Sequence, residues 1–117
     1  MAASNDCLFC KIVAGLIPTD PVYQDEVVTA FRDINAQAPS HTLLVPNEHL
    51  ASTNELQPEH DALVGRLVRT APIVASREGI HESGYRLVTN CGREGGQTVM
   101  HLHFHLLGGR QLSWPPG

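Results

Sequence analysis

The stretch HLHFHLL, His101 to Leu107, places histidines at three alternate positions with Leu102, Phe104 and Leu106 in the gaps. Successive side chains of a β-strand point to opposite faces, so His101, His103 and His105 would share one face while the apolar residues share the other. Along such a face, neighbouring imidazoles stand about 6.5 to 7 Å apart. The run holds three of the chain's seven histidines, and rings that titrate near neutral pH are costly to keep for packing alone. Two chemistries remain open for them: holding a metal, or serving as nucleophile and proton carriers at an electrophile.

The residues just before the run favour an anion over a bare metal. GREGGQT, residues 92–98, combines three glycines, which let backbone N–H groups approach an anion closely, with the side-chain donors of Gln97 and Thr98. This suits phosphate, with Gly96, Gln97 and Thr98 as its cradle.

Other segments read as short elements around one long helix. In CLFCKIVAG the residues Leu8, Phe9, Ile12 and Val13 recur on a helical face, with Asp6 as candidate cap and Gly15 and Pro18 as the stop. VYQDEVVTAFRD reads as two strands turning at Asp25 and Glu26, and HTLLVP as a third. From about Pro58 to Glu78, Leu63, Val64, Leu67, Val68, Ala71, Val74 and Ala75 follow helical spacing. Pro72 lies inside this stretch and predicts a kink or break, because it removes the N–H that would bond the carbonyl of Val68. GYRLVTN and TVMHLHFHLL supply the last strands. The pattern predicts an α+β domain: an antiparallel meander of about five strands, one long helix and a short N-terminal helix, in a single domain over residues 1–117.

Composition narrows the function classes. A chain of 117 residues suffices for one buried core. Eight basic against twelve acidic residues give a net charge of −4 without a basic cluster, which disfavours nucleic acid as a partner. No apolar run approaches the roughly 20 residues of a membrane span, and MAASNDC lacks the features of a secretory signal. No membrane partner and a cytoplasmic location are the resulting expectations. Three cysteines, an odd number, argue against a disulfide framework. The spacing of Cys7 and Cys10 suits half of a tetrahedral zinc site, whose other half could be histidine nitrogens. Cys91, His60 and His81 have no partners in this pattern and read as loop or surface residues.

GGQTVMHLHFHLLGGRQLSWPPG resembles the histidine-triad (HIT) superfamily, whose signature is His-x-His-x-His followed by two apolar residues. The WPPG ending resembles its nucleotide-binding phosphoramidase branch, and the likeness extends to FCKI, AFRDINAQAPSHTLLVP and GYRLVTN. The resemblance implies hydrolysis or transfer of a nucleotidyl group from purine nucleoside phosphoramidates, releasing a nucleoside monophosphate. By position, His103 would attack the α-phosphorus and form a covalent nucleotidyl-histidine. His105 would stabilise the phosphoryl oxygens and help protonate the leaving amine, and His41 would orient the triad. Asn90 would bond near the scissile phosphate, Phe9, Phe31 and Ile34 would wall the base, and Asp33 would accept the ribose hydroxyls.

Thr98 stands where this branch commonly has serine, and Met100 where many relatives have an aromatic, which reads as a packing change. Similarity to bacterial members with a structural zinc implies Cys7, Cys10, His49 and His101 as its ligands, leaving His103 and His105 for catalysis without a catalytic metal. A homodimer is implied as well, with Trp114 in a proline-stiffened tail reaching toward the partner's site. The alternatives are a nucleotide-binding scaffold with vestigial hydrolysis and a catalytic metal on the three triad histidines.

Overall fold

The computed structural model describes residues 6–117, so the reading of the first five residues lies outside it. The chain begins with α1, Leu8–Val13. Its cap is Cys7, whose Sγ accepts the Cys10 N–H at 3.3 Å, in place of the expected Asp6. Gly15, at φ 78°, supplies the left-handed turn that ends it. The expected apolar face shifts: Phe9, Cys10 and Ile12 are buried while Leu8 is exposed.

Strands β1 (Tyr23–Gln24) and β2 (Val28–Arg32) are joined by a turn in which Asp25 Oδ1 accepts the N–H groups of Val27 and Val28 at 2.7 and 2.8 Å. This is the self-bonding that makes aspartate a turn residue. Strand β3 covers Ser40–Pro46. Two short 3-10 turns, at Thr53–Glu55 and Pro58–His60, lead into α2, Asp61–Arg77. Strands β4 (Tyr85–Thr89) and β5 (Phe104–Gly108) follow.

The sheet is antiparallel in the order β1-β2-β3-β5-β4. The meander therefore holds for the first three strands. The α2 crossover then delivers β4 to the outer edge, and its hairpin partner β5 returns between β4 and β3. That insertion puts the histidine strand in the interior of the sheet.

Each face of the sheet carries its own apolar cluster. Ala30, Leu44 and Leu106 pack with Leu67, Ala71 and Val74 of α2. Phe31, Leu43 and Val45, their alternate neighbours, pack with Phe9, Cys10 and Ile12 of α1. Each fully buried large apolar side chain stabilises the fold by about 1.5–3 kcal/mol. Arg32 forks onto Glu78, with both N–O distances 2.9 Å, and ties β2 to the end of α2. Beyond α2, Ile80 lies so close to β5 that a Cβ on Gly108 would stand 2.7 Å from its Cδ1.

Two expectations for α2 need correction. Its buried stripe is Leu67, Thr70, Ala71, Val74 and Ala75, whereas Val68 is 45% exposed. The helix also runs unbroken through Pro72. The carbonyl left without a donor belongs to that solvent-exposed Val68, where water can serve it, so the ladder tolerates Pro72 without a break. His60, which the zinc pattern leaves aside, accepts the Gln57 N–H on Nδ1 at 2.8 Å at the start of the helix. No helix among the described residues is long and apolar enough to cross a membrane.

Candidate active site

The histidine run is only partly a ladder strand. His105 sits in β5 opposite Leu43 on one side and Val88 on the other, whereas His101 and His103 precede the first paired residue, Phe104. The ten-residue strand expected from Thr98 is thus shortened to five. Side chains and one crossing backbone bond replace the missing ladder: Thr89 Oγ1 donates to the His103 carbonyl at 2.7 Å, and the Leu102 N–H to the Leu50 carbonyl at 2.6 Å. Alternation survives without the ladder. Leu102 and Leu106 are buried in the α2 cluster, while the rings of His101 and His103 meet Phe9 on the opposite side at 5.9 and 5.0 Å.

Hydrogen bonds assign the tautomer of each ring. His101 Nε2–H donates to the Pro46 carbonyl at 2.9 Å, which leaves Nδ1 with its lone pair. His103 Nδ1–H donates to the His101 carbonyl at 2.6 Å, which leaves Nε2 open. His41 Nδ1 accepts the Gln37 N–H at 3.0 Å, so its proton lies on Nε2 and is donated to His105 Nδ1 at 2.9 Å. His105 consequently carries its own proton on Nε2.

Burial holds His41 and His101 below the ordinary histidine range, opposed by Asp33 and by the Pro46 bond respectively. It pushes His105 down to about 4, helped by the neighbouring charges of His103 and His41. These three rings are therefore neutral near pH 7, as the assigned tautomers require.

A second cluster touches the first through His101. Cys7 Sγ and His49 Nδ1 each lie 3.2 Å from His101 Nδ1, and Cys10 Sγ lies 3.2 Å from His49 Nδ1 and 3.5 Å from His101 Nδ1. Donors around a tetrahedral zinc at ordinary bond lengths stand about 3.3–3.8 Å apart, so two thiols and two imidazoles are gathered at near-ligand spacing. The second nitrogen of His101 is anchored on a carbonyl, the usual outer support of a metal-bound histidine. These residues fit zinc and could hold it.

Asp33, His41 and His105 also converge. There, however, the His41–His105 bond already uses the nitrogens that a metal would need.

The remaining expected residues divide into those the structure brings to the histidines and those it does not. Phe9 and Phe31 stack edge-on at 5.5 Å beside the triad. Asp33 Oδ2 lies 3.5 Å from His41 Nε2, and its Oδ1 accepts the Asn35 N–H. Ile34, by contrast, stands fully in solvent, and Trp114 is 80% exposed. Thr98 is exposed on the loop before the triad.

Gln97 is corrected from a free donor to a buried clamp. Its amide donates to the Ala51 and Val99 carbonyls at 2.7 and 3.0 Å and accepts the Gly92 N–H at 3.0 Å. Asn90 Nδ2 likewise donates to the Gly95 carbonyl at 2.6 Å, so both amides shape the glycine loop that carries Gly96. Within that loop Gly95 is obligatory, since a Cβ would fall 2.3 Å from the Cys91 carbonyl oxygen. Met100 is exposed rather than packed. It lines a cavity of about 350 Å³ with Cys7, Leu8, His49 and Thr98. Cys91, outside the zinc pattern, is held below the usual thiol range by hydrogen bonds from Ser52 and Thr53.

Sequence reasoning missed Thr89, the Gln37 N–H and the Pro46 carbonyl. Only Thr89 offered a signal, as a β-branched hydroxyl beside the predicted Asn90.

Comparison with known proteins finds relatives along nearly the whole chain. The HIT domain family matches residues 14–112. The chain is 50% identical over 109 residues to the purine nucleoside phosphoramidase of Escherichia coli K12, covering 93% of this chain and 92% of that one. It is 48% identical to a 14 kDa zinc-binding protein of Zea mays over 94% of this chain and 87% of that protein. A HIT family hydrolase from Legionella pneumophila superposes with a TM-score of 0.93 at 48% identity, over 96% of this chain and all of that one. A row of alternating histidines, the sheet that carries it and these likenesses along nearly the whole chain lead to one conclusion: this protein belongs to the HIT domain family.

Proposed function

We propose that residues 1–117 form one HIT domain that hydrolyses purine nucleoside 5′-phosphoramidates through a nucleotidyl-histidine. The observation that carries this reading is the bond from His103 Nδ1–H to the His101 carbonyl, which turns Nε2 away from the backbone as the nitrogen for attack. His103 Nε2 forms a bond to the α-phosphorus. The phosphorus–nitrogen bond breaks as the leaving amine takes up a proton from the medium by way of His105. Water then cleaves the histidine–phosphorus bond and releases the nucleoside monophosphate. His41 fixes the tautomer of His105, which is worth more inside a desolvated site than in water.

In this reading Gly96, Gln97 and Thr98 form the phosphate cradle, with Gln97 acting through the backbone it clamps and Asn90 through the Gly95 carbonyl. Phe9 and Phe31 wall the base and Asp33 takes the ribose hydroxyls, while Ile34, fully exposed, offers an apolar side chain to the base from the solvent side. Cys7, Cys10, His49 and His101 hold a structural zinc, supported by their spacing and by the name of the maize relative. When bound there, zinc supplies a cross-link between α1 and the triad segment.

A homodimer is supported by the edge position of β4 and by exposed Tyr85, Ile73 and Trp114. We assign the protein to the cytoplasm, where Cys7, Cys10 and Cys91, none of them in a disulfide, would stay reduced.

The test is hydrolysis of adenosine 5′-phosphoramidate by wild type and His103→Ala, each quenched and weighed intact. Turnover with an adduct that requires His103 supports the reading. Nucleotide binding without turnover in the wild type would replace it with a binding protein whose hydrolysis is vestigial.

A further inference from the structure

We propose that the Cys7, Cys10, His49 and His101 cluster, once loaded with zinc, is a positioning device for the nucleophile: metal occupancy fixes the ring of His103. The inference rests on the zinc reading above and goes beyond it, because a purely structural site would stabilise the fold and leave the chemical step alone.

Three connections join the cluster to the catalytic segment. The first is His101 itself. Its ring is held at both nitrogens, by the cluster at Nδ1 and by the Pro46 carbonyl at Nε2, and its own backbone carbonyl receives His103 Nδ1–H at 2.6 Å. A ring fixed at two ends restrains its own Cα, and the carbonyl that selects the tautomer of His103 is borne by that same residue.

The second is α1. Six residues are too few for a helix to be stable alone, so α1 depends on what anchors it. Cys7 and Cys10 bracket Phe9, whose ring meets His103 edge-on at 5.0 Å. Anchoring the two sulfurs holds Phe9 against the nucleophile.

The third runs from His49. Two residues on, the Ala51 carbonyl takes the Gln97 amide, and Leu50 between them takes the Leu102 N–H. The cavity of about 350 Å³ bounded by Cys7, His49, Thr98 and Met100 opens beside the cluster and gives an ion a way in. Thr98 of the glycine loop lines the same cavity.

The experiment uses the full chain in zinc-loaded, chelator-stripped and zinc-restored forms. Metal analysis comes first, and one zinc per chain is expected. Stripping should lower kcat about tenfold or more while KM stays within about twofold, and restoring zinc should recover it. Nitrogen-15 NMR of the His103 ring should show a single Nδ1–H tautomer in the loaded form and a mixture in the stripped form.

Where stripping unfolds the chain, the cobalt(II)-substituted protein carries the test: its visible absorption should change when the nucleotidyl adduct forms on His103. A folded, stripped protein with unchanged kcat and an unchanged His103 signal would overturn the proposal and leave the zinc reading intact. A cobalt spectrum indifferent to the adduct would do the same. Absence of bound zinc would overturn the zinc reading, and this proposal with it.

Discussion

His101 and His103 are two residues apart and face the same phenylalanine, yet the backbone holds them by different nitrogens. At His101 a carbonyl occupies Nε2 and the open Nδ1 points into two thiols and another imidazole. At His103 a carbonyl occupies Nδ1 and the open Nε2 is the one left for substrate. Residue type, burial and strand face are nearly the same at both positions, since His101 is 0% and His103 5% exposed. In the proposed reading, what separates a ligand from a nucleophile is which nitrogen the backbone has already taken.

The sharpest way to break the contrast is at the nucleophile. His103→Ala should lower turnover by at least about a thousandfold and abolish the covalent adduct, checked by steady-state hydrolysis and intact mass. The same variant should keep its zinc, since His103 is not among the four clustered ligands. Loss of zinc along with activity would mean that the two ends are one site.

The complementary experiment is at the metal end. Cys10→Ser should release zinc and lower the melting temperature by several degrees, at about 4–8 °C for each kcal/mol lost in a domain of this size class. Calorimetry with metal analysis checks it, and an unchanged melting temperature would remove the metal from the account of the fold.

Acid probes the neutral rings directly. His105 titrates near 6.5 when unfolded and is pushed down to about 4 by burial, with His41 displaced in the same direction. Between those values the unfolded chain takes up protons that the folded chain refuses. Stability should therefore be full above about pH 6.5 and fall as pH drops toward about 4, by roughly 2 kcal/mol after discounting for the partial exposure of the ring. His105→Gln should flatten that part of the profile, which urea unfolding at a series of pH values would reveal.

Thr89→Val asks how much of the His103 geometry depends on the hydroxyl that supports its carbonyl. Loss of one hydrogen bond should cost about 1 kcal/mol in denaturant unfolding, with a larger proportional loss in kcat than in binding. Last, deleting residues 113–117 should change stability by less than about 0.5 kcal/mol while altering preference among leaving amines. Unchanged preference would exclude the tail from the site.

The side-chain pattern made much of this legible in advance. Alternation around His101, His103 and His105 placed core and chemistry on opposite faces, and it still holds where the ladder ends. The turn at Asp25, the stop at Gly15 and most of the apolar stripe of α2, Val68 excepted, were equally readable, because each depends on local chemistry. Insertion of β5 between β3 and β4 was not, since strand order follows from the α2 crossover and has no local signature. Gln97 was read as a donor to phosphate because an amide beside glycines suits that role equally well. Its burial beneath Ala51 depends on a segment 46 residues away. The sequence also could not say which nitrogen of each histidine is open, as the groups that decide this are carbonyls and an amide common to every residue.

That last point bears on how this protein would look to mutagenesis. The Pro46 and His101 carbonyls and the Gln37 N–H, which hold three of the rings, are beyond the reach of side-chain replacement. An alanine scan would report the histidines as essential and pass over what makes them different from one another. Amide-to-ester exchange by chemical synthesis, which weakens one carbonyl or deletes one N–H while keeping every side chain, is the perturbation that would expose it.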